Sequence, residues 1–378
     1  MKKYFALNAL LTIVVLALVF MGTAQAQARS KRLFVLKRSR YSILSLGTLP
    51  GFTRSTALGL NDKGEVVGSL DSGQDNLPSH VFLWSERRLH DFGTIPSPYS
   101  APNAPHPFAI EKVSLNNRGM IVVSWSVFFD GAYMGTRQVV SVRRDGRWKD
   151  LPLLPLFQDN AEATVNERGD IALTADHTSN TRHADSPPYD PPHVALYRGG
   201  RLMDLGPGHS SGINNKGEVC GFVAVDAKGA PRGLVNVYEE RAVIAFKITA
   251  GKRERIGQGM TTAINDQGVI VELAEGVPTD QGYSFAKALP ARWQDGELSL
   301  LPVPQGEHAV PAAINNRGQI VGGHWLWEGN RRYDLNSFVP ESSGWTHLQA
   351  NAINNLGQIA GWGRFHGKRR AFLMTPAK

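Results

Sequence analysis

Seven times the chain writes an aliphatic residue, then Asn, two variable residues and Gly. The segments read LNDKG, LNNRG, VNERG, INNKG, INDQG, INNRG and INNLG, with their Asn at positions 61, 116, 166, 214, 265, 315 and 354. The steps between them are 55, 50, 48, 51, 50 and 39 residues. A fixed repeat of this length restricts the fold sharply. Each unit is too small to bury its own apolar face, so the units must stack on one another.

The four residues from Asn to Gly suit a type I turn followed by a left-handed residue, the bulged loop of a tight hairpin. Asn in first place can accept a hydrogen bond from its own backbone two residues on. Gly in fourth place takes positive φ without a Cβ clash, which assigns Gly64, Gly119, Gly169, Gly217, Gly268, Gly318 and Gly357 to turns. A calcium site would need several carboxylates per turn, and most of these carry none or one.

The flanks describe two strands. The residue before each Asn is aliphatic (Leu60, Leu115, Val165, Ile213, Ile264, Ile314, Ile353). The one before that is small (Gly59, Ser114, Thr164, Gly212, Ala263, Ala313, Ala352). Alternation sets the two rows on opposite faces, and a small row suits a strand where neighbouring sheets converge. After the Gly comes a run that is apolar on both faces, hence covered on both. Cys220 occupies a slot in that run held elsewhere by Val or Ala, so it reads as a core residue rather than a nucleophile. It is also the single cysteine, which forbids an internal disulfide.

Third and fourth strands follow. The third reads SHVFLW (79–84), HVALY (193–197), PARW (290–293), WLWE (325–328) and AFLM (371–374). The fourth reads RLHDFG (88–93), RWKDLP (147–152), RLMDLG (201–206), ELSLLP (297–302) and RRYDLN (331–336). The fourth repeat is blurred between 232 and 259. Four antiparallel strands per repeat describe propeller blades. The last repeat stops after its third strand, and an orphan fourth strand, YSILSLG (41–47), precedes the first motif. That orphan can complete the last repeat and remove the open edges. The expectation is therefore all-β: a seven-bladed β-propeller of four-stranded blades over 41–378, closed by the N-terminal strand. An open solenoid is the alternative.

The segments "AINNRGQIVGG", "SHVFLWSERRLHDFGTIP" and "GQIAGWGRFHGKRRAFLMTP" resemble the extracellular repeats of the HAF family, named for a His-Ala-Phe segment before Leu-Trp. The resemblance covers about 41–376. Its motifs are specific in the first, sixth and seventh repeats and weak in the second and fourth. No copy spells His-Ala-Phe; Ser79-His80-Val81-Phe82 and Arg370-Ala371-Phe372 come nearest. The chain shows no C-terminal sorting segment of the kind some relatives carry. The resemblance implies a soluble exported repeat protein and assigns no activity.

Export is also read from the first residues. Lys2 and Lys3 precede an apolar run over 9–22, and the small residues of AQAQA supply a cleavage site before 29. Residues 1–28 thus read as a signal peptide, with no stable membrane span after its removal, and 29–40 as a basic linker arm. The net charge of +8 resides in these segments: eight of the 41 basic residues precede Tyr41, leaving 33 against 33 acidic ones. A body of zero net charge is not a nucleic-acid binder on charge grounds. A secreted or periplasmic monomer is expected.

Short turns fall on one face of such a ring, and long segments on the other: 94–111, 176–192, 275–288, 337–349 and the basic 364–370. Binding residues concentrate on loops held by a rigid scaffold, so the long-loop face carries the candidates: Tyr99, Asp176, His177, Tyr189, His193, Tyr283 and Trp345. The loop ADHTSNTRHADSPPYDPPH (175–193) adds His183, Asp185 and Asp190, but its spacing matches no closed metal site. No metal or cofactor is assigned. No nucleophile elbow, phosphate loop or zincin helix occurs, and no catalytic residue is assigned. The reading is a binding or scaffolding module for an envelope glycan or protein. The alternative is a carbohydrate-active enzyme, with Asp176, Asp185 or Asp190 facing Glu275, Asp280 or Glu341 across the ring.

Overall fold

At each of the seven Asn-x-x-Gly segments the backbone turns as its side chains dictate. The computed structural model describes residues 40–73, 79–95, 109–129, 135–176, 191–226, 228–232, 242–274 and 288–377. All seven Gly lie at φ between 73° and 85°. In the first turn Asn61 Oδ1 accepts from the N–H of Lys63 at 3.1 Å and of Glu65 at 2.9 Å, while Gly64 N–H donates to the Asn61 carbonyl at 3.1 Å. The other six turns repeat the pattern, as in Asn214 with Lys216 and Glu218. One side chain thus pre-forms each hairpin.

Strand β1 (Tyr41–Gly47) precedes the first repeat, which holds β2 (Arg54–Leu60), β3 (Val66–Asp71), β4 (His80–Ser85) and β5 (Arg88–Asp91). The second holds β6 (Ala109–Leu115), β7 (Ile121–Phe129), β8 (Gly135–Arg144) and β9 (Arg147–Asp150). The third holds β10 (Asp159–Val165), β11 (Ile171–Asp176), β12 (His193–Arg198) and β13 (Arg201–Pro207). Then come β14 (His209–Ile213), β15 (Val219–Val225), the short β16 (Pro231–Arg232), β17 (Ala242–Thr249), β18 (Lys252–Ile264), β19 (Ile270–Ala274), β20 (Leu289–Gln294) and β21 (Glu297–Leu300). The sixth repeat holds β22 (Ala313–Ile314), β23 (Gln319–Gly322), β24 (Trp325–Glu328) and β25 (Arg331–Asp334). The last holds β26 (Trp345–Ile353), β27 (Ile359–Phe365) and β28 (Lys368–Pro376).

These strands build an all-β propeller, but not seven separate sheets. Five four-stranded sheets stand apart, and the fourth and fifth repeats run together as one eight-stranded sheet. The join is β18. Its first half pairs with β17 from Lys252 to Gln258, and its second half pairs with β19 from Gly259 to Ile264. Every other connection between repeats carries a proline (Pro50, Pro96, Pro152, Pro207, Pro302, Pro340), which cannot donate to a ladder. The stretch IGQGM has none, so the strand runs on.

The orphan strand closes the last sheet. β1 pairs antiparallel with β28, Tyr41 opposite Pro376 and Leu44 opposite Leu373. Tyr41 stacks on Phe338 with ring centres 5.2 Å apart, and Arg40 lies over Tyr333 and pairs with Glu328. All of this belongs to the compact unit Arg40–Lys378.

Packing lies between sheets. The second strands are buried over most of their described residues, and every residue of Val219–Val225 is buried. The small row sits where inner strands meet: a Cβ on Gly59 would come within 2.9 Å of Val67 Cγ2 and 3.0 Å of the Val113 carbonyl oxygen on β6. Cys220 is fully buried among Ala245, Ile256, Ile264, Ile270 and Trp293, and burial pushes its thiol up to about 12. Among the described residues no helix is long and apolar enough to cross a membrane.

Two segments expected as loops are not. Residues 337–349 contain short 3-10 turns, Leu335–Phe338 and Glu341–Ser343, and the start of β26. The basic stretch 364–370 is strand on either side of a tight turn at His366 and Gly367, both at positive φ.

Candidate functional site

The first strands of the repeats surround a central channel, and its two ends differ in chemistry. At the hairpin end the seven Asn form a closed circle. Asn61 Nδ2 donates to the Asn116 carbonyl at 3.3 Å, Asn116 to Asn166 at 3.0 Å and Asn166 to Asn214 at 3.0 Å. Asn214 donates to Asn265 at 2.9 Å, Asn265 to Asn315 at 3.0 Å and Asn315 to Asn354 at 2.9 Å. Asn354 returns to the Asn61 carbonyl at 2.9 Å. All seven are buried.

The next residues make a second circle. The side-chain oxygens of Asn117, Glu167, Asn215, Asp266, Asn316, Asn355 and Asp62 accept, in that order, from the backbone N–H of the residue before them in the ring. These circles and the aliphatic row enclose a mouth of about 170 Å³. Three carboxylates, Asp62, Glu167 and Asp266, converge here, yet each is bound into the circle. The Glu167 carboxyl is raised by burial, against the Asn117 N–H, with Asp62 and Asp266 adding to the rise.

The other end is built on β6, β10 and β14. Lys112 Nζ reaches past β10 to donate to the Ser211 carbonyl on β14 at 3.1 Å. Glu162 sits at a break in the β10–β11 register with φ of 53°, a left-handed residue that no glycine fills. Such a bulge re-aims a side chain at a strain cost of about 1 kcal/mol or more. Glu162 Oε2 accepts from Thr174 Oγ1 at 2.9 Å and lies 3.3 Å from His209 Nδ1. His209 stacks on Phe222, ring centres 4.9 Å apart. Burial pushes the Glu162 carboxyl up, but the hydrogen bond and charge of His209, the charge of Lys112 and the Thr174 hydroxyl outweigh it and leave it below the usual range. Burial lowers the Lys112 ammonium, against the pull of Glu162.

The strands that carry this cluster are not fully bonded. Asn160 Oδ1, Thr164 Oγ1, His209 Nε2 and Ser210 Oγ are buried with no hydrogen-bond partner among the described residues. Native interiors hold few such atoms, and here four share two adjacent strands, β10 and β14. With Nδ1 facing Glu162, His209 Nε2 is an acceptor when the ring is neutral and a donor when it is charged. Across the channel the equivalent residues are Ala57, Pro311 and Ala350. Behind the wall, between the fourth and fifth repeats, Glu272 is fully buried with neither oxygen paired among the described residues. Burial raises its carboxyl to about 7.

Of the residues expected from sequence, Tyr99, His177, Tyr189 and Tyr283 lie outside the described residues, as do 1–39. Asp176 ends β11 opposite Asp159, and its carbonyl accepts from Gln158 N–H at 3.0 Å. His193 begins β12 opposite Ala175, at the same end of the sheet. Its Nδ1 lies 2.9 Å from both Asp204 oxygens, with the Phe157 ring 4.9 Å away. His80, Asp91 and Phe52 repeat that arrangement in the first repeat. A recurring clasp of this kind fastens the third strand to the fourth. Trp345 is corrected from loop aromatic to core residue: it is buried against Phe365 and Phe372.

Lys112, Glu162 and His209 went unnoticed in the sequence. Their signal is visible once repeats are aligned on Asn. They stand four, four and five residues before it; at the fourth position the other first strands carry only small or apolar side chains (Ala57, Ser210, Thr261, Pro311, Ala350).

No family model matches the chain, and no curated protein matches it. Among solved structures it is similar to the β-propeller domain of the Trilobed protease from Pyrococcus furiosus, at 11% identity and TM-score 0.54, covering 86% of this chain and 94% of that one. A streptogramin B lyase structure matches at 13% identity and TM-score 0.45, covering 89% and 98%. At such identity the first likeness speaks for the propeller fold alone.

Proposed function

We propose that this chain is an exported, HAF-type repeat protein that works as a non-catalytic binding module for an envelope polysaccharide. Its ligand seat is the long-loop end of the channel. The observation that carries this reading is the part-exposed cluster of Lys112, Glu162 and His209, brought together from three neighbouring strands. A hydroxyl-rich ligand can exchange hydrogen bonds with the exposed parts of Glu162 and His209, whose side chains keep 44% and 16% of their surface. The eight-stranded sheet acts as two blades in this reading, because seven Asn turns complete the circle. Seven blade units then surround the channel.

A carbohydrate-active enzyme is the second reading, and one observation favours it. Glu162 is held below the usual carboxyl range and Glu272 is raised to about 7, the separation expected of a base and an acid. It ranks second because Glu272 has no exposed surface.

The test is retention of the mature chain by its own host's envelope polysaccharide, beside a version starting at Tyr41, at low and high salt. Retention of both at high salt, lost in Lys112→Met, supports the reading. Loss on removal of the arm, or on adding salt, assigns binding to screened charge in the arm and refutes it. Release of reducing ends during the incubation favours the enzyme.

A further inference from the structure

The residue after each turn Gly has a regular task. Glu65, Asp170, Glu218, Gln319 and Gln358 each accept from the Nδ2 of the Asn in their own turn. The second and fifth repeats depart from this with Met120 and Val269. An apolar side chain there cannot bond to the Asn, and it opens an apolar space toward the next repeat.

The two departures end differently. In the fifth repeat the space is filled. Val269 packs with Leu301, Ile320 and Trp327 of the β24 strand, and Trp327 is fully buried with its indole N–H donated to the Pro302 carbonyl at 2.9 Å. Beside the second repeat the matching residue is Tyr197 on the third strand of the third repeat, opposite Ile171 as Trp327 is opposite Ile320. Tyr197 is half-buried and leaves a cavity of about 580 Å³. Its floor is Met120, Val142, Leu151 and Ile171, with Tyr197 beside them. Its rim is Arg144, Arg147 and Lys149, with Asp145 the single acid. Arg144 and Asp145 approach at 4.0 Å but stay 70% and 94% exposed, so the pair is weak. Arg147 and Lys149 have no acidic partner among the described residues.

We propose that this cleft between the second and third repeats is a second binding site, for a small amphipathic anion: an apolar aryl or acyl body carrying one carboxylate or sulfonate. Three features select that class. The volume falls within the range of small-molecule sites. The floor takes the apolar body and gains from its burial. The rim supplies three cations against one acid, which favours a single anionic head, and Arg offers it a bidentate fork. The cleft shares no residue with the channel wall and stands or falls separately from the polysaccharide reading.

The repeats themselves provide the test variants. Tyr197→Trp writes the sixth repeat's residue into the third, and Met120→Glu writes the first repeat's residue into the second. The full chain is titrated with 8-anilinonaphthalene-1-sulfonate, read by fluorescence, under conditions where its near-UV circular dichroism is native. The inference expects saturable binding of one probe, loss of at least tenfold in affinity in Tyr197→Trp, and a similar loss in Met120→Glu. Dodecanoate should displace the probe at least tenfold better than dodecanol. If the filling variants do not fold, the exposed-rim variant Arg144→Ala/Arg147→Ala/Lys149→Ala decides, with at least a tenfold loss expected. Absence of saturable binding overturns the inference, as does affinity unchanged in the rim variant or in the folded filling variants. Lys112→Met should leave probe binding unchanged, which separates this cleft from the channel.

Discussion

The two ends of the central channel make opposite use of polar side chains. At the hairpin end every repeat contributes the same Asn to the first circle and an Asn, Asp or Glu to the second, and both circles close. At the long-loop end Lys112, Glu162 and His209 occur once each, on three neighbouring strands, and polar atoms around them are left over. The contrast teaches how to divide a repeat protein. What every unit spells alike holds the ring together. What one unit spells differently, on part-exposed side chains, is where we propose a ligand binds.

The sharpest way to break this division is to cut the circle. Asn214→Ala removes the acceptor for two turn N–H groups and the donor to the Asn265 carbonyl. Buried partners left unpaired predict a loss of about 3–5 kcal/mol, read as a lower denaturant midpoint. Ligand retention by the protein that remains folded should not change.

Glu272 tests the leftover side through pH. Its carboxyl has an ordinary value of 4.5, and burial raises it to about 7 in the fold. Between those values the folded chain keeps a proton that the unfolded chain has released. Stability is therefore full below about pH 4.5 and falls as pH rises through 7, by on the order of 3 kcal/mol. Glu272→Gln should flatten that fall; an equally steep curve in the variant would assign it to other groups.

Smaller effects sharpen the comparison. His209→Ala should cost only about 1 kcal/mol of stability, since it removes one hydrogen bond and a stacked ring. Cys220→Val places in the fourth repeat a residue that other repeats carry, and should change stability by less than about 1.5 kcal/mol. In the native protein the Cys220 thiol should resist alkylation until global unfolding, because it is buried and held protonated up to about 12.

Much of the fold is legible in the sequence, because turn chemistry is local. The Asn and Gly of each motif dictate their own backbone, and Cys220 could be placed by its slot in the repeat. The pairing of β1 with β28 follows from counting strands. The fused sheet is harder to read, since it depends on the missing proline between Lys252 and Ile264. The channel wall was hidden by phase. Register breaks at Ala161/Thr164 and Ser210/Gly212 shift the alternation, so a count of two from the Asn misplaces Glu162 and His209. Trp345 misled because 3-10 turns and a strand start read, by composition, as a polar loop.

The most direct test of the central claim compares the two ends in one assay. Retention on envelope polysaccharide would be measured for the full chain, for Lys112→Met and His209→Ala at the wall, and for Asp266→Asn in the turn circle. The wall variants should bind at least tenfold more weakly, about 1.4 kcal/mol, while Asp266→Asn stays within about twofold of the parent. Equal binding by the wall variants and the parent, or equal loss in all three, would contradict the assignment of the ligand seat to the long-loop end.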